Sequence, residues 1–126
     1  MTVILDSSAV LAMVFGEPGG GHVLSKSRGA LLSAVNADEV FHKVARKGID
    51  RRDVETQLTK LAVEITAFDT AQARLCAALH PRVAGTDTSF ADRACLSLGM
   101  ATGWSILTAD DKWLTLGLDL DIRLIR

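Results

Sequence analysis

The sequence predicts an α/β fold in which helices cover a parallel sheet, and two observations carry that prediction. Short apolar, partly β-branched runs of strand length recur along the chain, and each is separated from the next by stretches with helical periodicity. Strands joined through helices in this way pair in parallel and are buried on both faces. The 126 residues, 48% hydrophobic and 23% charged, fit one packed domain over residues 1–126 and not a disordered chain.

Val3, Ile4 and Leu5 form the first strand candidate, ending at Asp6. Residues 7–15 read as a helix, broken at Gly16-Glu17-Pro18-Gly19-Gly20-Gly21. That glycine run is an ordinary connection and not a phosphate loop, because no Gly-Lys-Ser/Thr follows it. Helical signal resumes over 22–26, and 30–33 is a second strand candidate. A helix follows from Val35 to about Lys47, with Val40, Phe41, Val44 and Ala45 on one face and Gly48 at the stop. Asp50 caps a helix running to about Ala62, and 63–66 is a short strand. Asp69 caps a helix that continues to about Leu79 and ends near Pro81. Ser89 opens another, its apolar face built from Phe90, Ala91, Ala94, Cys95, Leu98 and Ala101, and Gly103 ends it. Residues 104–108 and 122–125 are the last two strands.

No apolar run approaches the ~18 residues that a membrane span requires, and no cleavable leader pattern opens the chain, so a soluble cytoplasmic protein is expected. Cys76 and Cys95 lie in helical runs without zinc-ligand spacing and read as small buried apolar residues. The net charge of −1 at first argues against a nucleic-acid partner. Set aside four of the 15 acids as a site, and the 14 basic residues outnumber the remaining 11, leaving a mildly basic shell of +3.

Those four acids are Asp6, Glu39, Asp92 and Asp110. Asp6 and Asp110 stand at or just past strand C-termini; Glu39 and Asp92 stand in the first turns of helices. In an open parallel sheet these positions converge on the edge where ligands bind. Carboxylates gathered there repel unless a cation joins them. Without a histidine or cysteine at ligand spacing, a hard cation such as Mg²⁺ or Mn²⁺ fits better than zinc. Each acid also has a local alternative. Asp6 is placed to cap the next helix, Ser89 and Asp92 fit a capping box, Asn36 to Glu39 is a helix-start signal, and Asp110-Asp111 suits a turn.

Four segments resemble motifs of the PIN-domain family and, within it, the VapC-type toxins of bacterial toxin–antitoxin pairs. They are Val3-Ile4-Leu5-Asp6-Ser7-Ser8-Ala9-Val10-Leu11-Ala12, Ser33-Ala34-Val35-Asn36-Ala37-Asp38-Glu39-Val40, Ser89-Phe90-Ala91-Asp92-Arg93-Ala94-Cys95-Leu96 and Ile106-Leu107-Thr108-Ala109-Asp110-Asp111-Lys112-Trp113. In order and spacing they cover the chain nearly end to end. The resemblance implies a three-layer α/β/α sandwich with a central parallel sheet. It also implies a Mg²⁺- or Mn²⁺-dependent endoribonuclease, working as a homodimer and silenced by a small antitoxin. By position, Asp6, Glu39, Asp92 and Asp110 match the family's acids, with Asp6, Asp92 and Asp110 as metal ligands. Ser7, Ser8 and Thr108 match supporting polar positions. Neighbouring side chains of an extended segment diverge, so at most one of Asp110 and Asp111 is a direct ligand; the resemblance picks Asp110 and leaves Asp111 as support. Asp87 departs from the pattern and has no assigned place.

Lys43, Arg46 and Lys47 end the third helix, as either a contact for RNA or partner or a solvated helix terminus. Arg93 is read as a phosphate contact or, preferably, the partner of a carboxylate. His22, His42 and His80 are scattered, and Trp104 and Trp113 are expected to be buried. Two functions compete: hydrolysis of RNA by metal-activated water, and a PIN-like module that binds antitoxin or RNA without cutting. A phosphorelay receiver is disfavoured, because paired acids at the first strand's end are missing.

Overall fold

The computed structural model describes residues 2–126. Its centre is one five-stranded sheet, all parallel, in the order β3-β2-β1-β4-β5. The strands are β1 (Val3–Leu5), β2 (Leu31–Ser33), β3 (Glu64–Thr66), β4 (Ser105–Thr108) and β5 (Ile122–Leu124). Alternation along them divides the core in two. Leu5, Leu32 and Leu107 face α1 (Ser7–Phe15), α2 (Gly20–Lys26), α3 (Ala34–Arg46) and α4 (Arg51–Lys60). Ile4, Leu31 and Ile106 face α5 (Thr70–Val83) and α6 (Phe90–Thr102). The result is the expected α/β/α sandwich. Its middle strands are apolar at their centres because neither face meets water, with buried Ser33 and Thr108 at the carboxyl ends of β2 and β4.

The chain works outward from β1 to β2 and β3, then crosses back through α5 and α6 to place β4 on the other side of β1. Strand order therefore reverses between β1 and β4, and the carboxyl ends of these two strands flank the crevice where open α/β sheets bind ligands. Asp6 follows β1 there, and Asp110 follows β4.

Three local features refine the expectations. The glycine run is a packing device. A Cβ on Gly19 (φ +91°) would sit 2.4 Å from the Ile125 carbonyl oxygen, and one on Gly20 would sit 2.5 Å from that of Ala12, so α2 nests against α1 and the end of β5. Helix α5 runs through Pro81 to Val83 instead of ending before it. Proline removes only the bond to the Ala77 carbonyl, which is exposed to water, while buried Val83 anchors the extra turn. Beyond Asp110, residues Asp111–Thr115 form a 3-10 helix whose Trp113 is buried, as expected of that tryptophan. No helix among the described residues is long and apolar enough to cross a membrane.

Candidate metal and active site

Asp6 is the deepest of the four acids, 3% exposed at the end of β1. Its position is that of an N-cap for α1, yet its side chain makes no capping bond. One oxygen, Oδ2, instead accepts from the hydroxyls of Ser8 (2.6 Å) and Thr108 (2.8 Å). Each hydroxyl in turn accepts a backbone N–H: Ser8 from Ala109 (2.9 Å) and Thr108 from Asp110 (3.1 Å). Every proton in this network is thus committed to fixing Oδ2, and the ends of β1 and β4 are laced together. The other oxygen, Oδ1, is buried and has no hydrogen-bond partner among the described residues. A buried carboxylate oxygen left bare is costly unless something outside the chain completes it.

The remaining acids surround it. Burial foremost, opposed by the two hydroxyls and reinforced by the charges of Asp92 and Glu39, pushes the Asp6 carboxyl up to about 6. Asp92 is also raised, mainly by burial, with Glu39 and Asp110 adding repulsion. The four carboxylates named from the sequence therefore share one field at one sheet edge. Cys95 lies fully buried beneath them; burial, then Asp6, Asp92 and Glu39, push its thiol well up and keep it neutral.

Local bonds orient the outer three. Glu39 on α3 accepts from the Ser7 hydroxyl and lies 3.6 Å from the ammonium of Lys43. Asp92 closes the anticipated capping box, accepting from the Ser89 N–H (3.0 Å) while Ser89 accepts from the Asp92 N–H (3.1 Å). Asp110 caps the 3-10 helix through the Lys112 N–H (3.0 Å), whereas Asp111 is exposed. Among the described residues, no three His, Cys, Asp or Glu side chains stand close enough as they are to hold a metal ion by themselves. The donor set still suits a hard cation that keeps most of its waters and takes one or two carboxylates, beginning with the bare Oδ1 of Asp6.

The other residues singled out from the sequence are placed as follows. Arg93 departs from the expected carboxylate pairing: its guanidinium donates to the Cys76 carbonyl (3.1 Å), joining α6 to α5, and lies over the Phe90 ring. Lys47 sits over the Phe15 ring, and Arg46 is exposed at the end of α3. Asp87 accepts from the ammonium of Lys112 (3.4 Å). One contributor was not read from the sequence. Asn36, fully buried, donates to the Ala91 carbonyl (3.0 Å) and so ties the helix of Glu39 to the first turn of Asp92's helix. Its place three residues before Glu39 in the second motif, on the same face of α3, is the signal that points to it.

The sequence matches the PIN domain family over residues 3–117, and the chain belongs to that family. No curated protein matches. Among solved structures, the fold is similar to a toxin–antitoxin complex from Klebsiella pneumoniae (TM-score 0.82, 14% identity, covering 99% of this chain and 98% of that one). It is similar to VapBC from Salmonella typhimurium bound to DNA (TM-score 0.77, 13% identity, covering 100% and 99%). It also resembles VapBC2 from Rickettsia felis bound to a promoter DNA fragment (TM-score 0.76, 15% identity, covering 98% of both chains).

Proposed function

From the premise of a PIN-domain chain, we propose a Mg²⁺- or Mn²⁺-dependent endoribonuclease, acting as one domain and as the toxin of a type II toxin–antitoxin pair. The observation that carries this reading is the buried Asp6 carboxylate, with one oxygen locked by Ser8 and Thr108 and the other bare, inside the field of Glu39 and Asp92. Asp6, Asp92 and Asp110 are the proposed ligands, and Glu39 completes the catalytic set. A bound ion would lower the pKa of an attacking water and offset charge on the scissile phosphate. The chain's own parts do the rest. Ser8 and Thr108 hold Asp6 with Oδ1 free, and the capping box keeps Asp92 in place. One of these acids would help take the water's proton. Lys43, beside Glu39, is placed to meet the RNA backbone.

A toxin role, a small antitoxin as partner and a homodimer are supported by the family resemblance of the motifs and by the likeness to toxin–antitoxin complexes. The lack of a closed ligand set among the described residues favours one rival, a PIN-like module that binds RNA or antitoxin without cutting. Purified protein with structured RNA separates them. Cleavage that requires Mg²⁺ or Mn²⁺, stops with EDTA and is lost in Asp6→Asn is the expected result. Divalent-ion titration without heat, together with intact RNA, would leave the binding module.

A further inference from the structure

Next to Asp110 lies a cavity of about 160 Å³ that none of the proposed catalytic steps uses. Trp113 and Leu116 supply its apolar walls, Thr86 and Thr88 its hydroxyls, and Asp110 and Lys112 its edge toward the acidic site. We propose that this cavity is a nucleobase subsite, holding the unpaired base of the nucleotide beside the scissile phosphate. The inference rests on the nuclease reading for the placement of that phosphate.

The polar groups define what fits. Thr86 donates its one hydroxyl proton to the Val83 carbonyl (2.6 Å), so in the 2.6 Å contact between Thr86 and Thr88 the proton belongs to Thr88. Thr88 Oγ1 therefore keeps free lone pairs as an acceptor. The indole N–H of Trp113 is buried and is not one of the groups that meet the cavity. An acceptor set beside the apolar walls of Trp113 and Leu116 matches a nucleobase, whose flat ring carries donors on its edge, better than it matches an aliphatic side chain. At the outer side, Lys112 pairs with Asp87 across 3.4 Å, with the two side chains 69% and 88% exposed. Such a pair contributes little, so the ammonium is free to turn to a phosphate when a nucleotide enters. A base seated here keeps its own backbone beside Asp110.

Trp113 is also the reporter. The chain has two tryptophans, so Trp104→Phe leaves Trp113 as the single indole. In that background, without divalent ions, the four nucleoside 5′-monophosphates are titrated while Trp113 emission is followed, with ribose 5-phosphate as control. At least one nucleotide should give a saturable change that ribose 5-phosphate does not give. Thr88→Phe, which fills the cavity, should weaken that binding by about 10-fold or more. Thr88→Val keeps the shape, removes the acceptor, and should lose the preference among bases; it also serves if the larger side chain compromises folding. The subsite is overturned if no nucleotide gives a saturable change, as expected were the cavity to take a partner protein's side chain instead. It is equally overturned if both Thr88 variants bind like their parent. RNA cleavage by the same preparation reports separately. Cleavage without nucleotide binding removes the subsite alone, and nucleotide binding without cleavage removes the nuclease reading alone.

Discussion

Asp6 and Asp121 sit at opposite edges of the same sheet, and both accept a hydroxyl from a neighbouring strand. Asp121, before β5, takes the Ser105 hydroxyl at 2.5 Å and the Arg123 guanidinium at 3.0 Å. The Ser105 bond first, then Arg123, hold its carboxyl below the usual range. Asp6 has two hydroxyl partners, yet its carboxyl rises to about 6, because it is buried and its charged neighbours are carboxylates. No lysine or arginine among the described residues pairs with it. At the amino edge the compensating cation is part of the chain. At the carboxyl edge no cation of the described residues is paired with Asp6. Hydroxyl partners orient an aspartate in both places; depth and neighbouring charge decide whether its carboxyl falls or rises.

Substitution at the two edges tests this contrast. The largest effect is expected at Asp6→Asn, which should reduce metal-dependent RNA cleavage by about 100-fold or more, since even groups that only orient a ligand are worth about 10–100-fold. Thr108→Val removes one of the two hydroxyls on Oδ2, and its loss of apparent Mg²⁺ affinity should fall within that same ~10–100-fold range, read from the metal dependence of the cleavage rate. The third effect concerns pH. A carboxyl whose folded value lies above its unfolded 3.8 is a burden while ionised, so the metal-free protein should gain stability from Asp6 as pH falls through about 6 toward 3.8. Between pH 7 and pH 5 the gain is about 1 kcal/mol, seen as a difference in denaturant midpoints that Asp6→Asn lacks. Saturating Mg²⁺ should erase it. The smallest effect belongs to the other edge: Asp121→Asn should cost well under ~1 kcal/mol, because that side chain is half-exposed, and cleavage should not change. A large loss of activity there would break the contrast.

Much of this arrangement was legible in the residues. The helix-covered parallel sheet followed from apolar runs set between helical periods, and the Ser89–Asp92 capping box from four letters of sequence, because these depend on neighbours in the chain; the three-layer sandwich followed from the resemblance of the motifs. Side-chain divergence left room for one of Asp110 and Asp111, and the motif resemblance chose Asp110; Asp110 adds to the field at Asp92, and Asp111 is exposed. What the sequence did not reveal depends on distant partners. The second hydroxyl on Oδ2 of Asp6 arrives with Thr108 from 102 positions away, and the bareness of Oδ1 shows only once the chain is folded around it. Arg93 finds a carbonyl on α5 instead of a carboxylate, and Asn36 looks like any polar residue of α3 until Ala91 is beside it. The 3-10 helix at Asp111–Thr115 had no signal of its own in the sequence beyond the expected burial of Trp113, which packs on the α6 side of the sheet.

The lacing of Asp6 to Thr108 also bears on the order of folding. Central β1 has β4 as one of its two neighbours, and Thr108 stands 102 positions beyond Asp6. The segment through α3 can pack β1 and β2 early, but Asp6 has no Thr108 and no Asp110 beside it until β4 docks. Pairings this distant are late events in folding. A partly folded chain therefore carries the four acids without their shared setting.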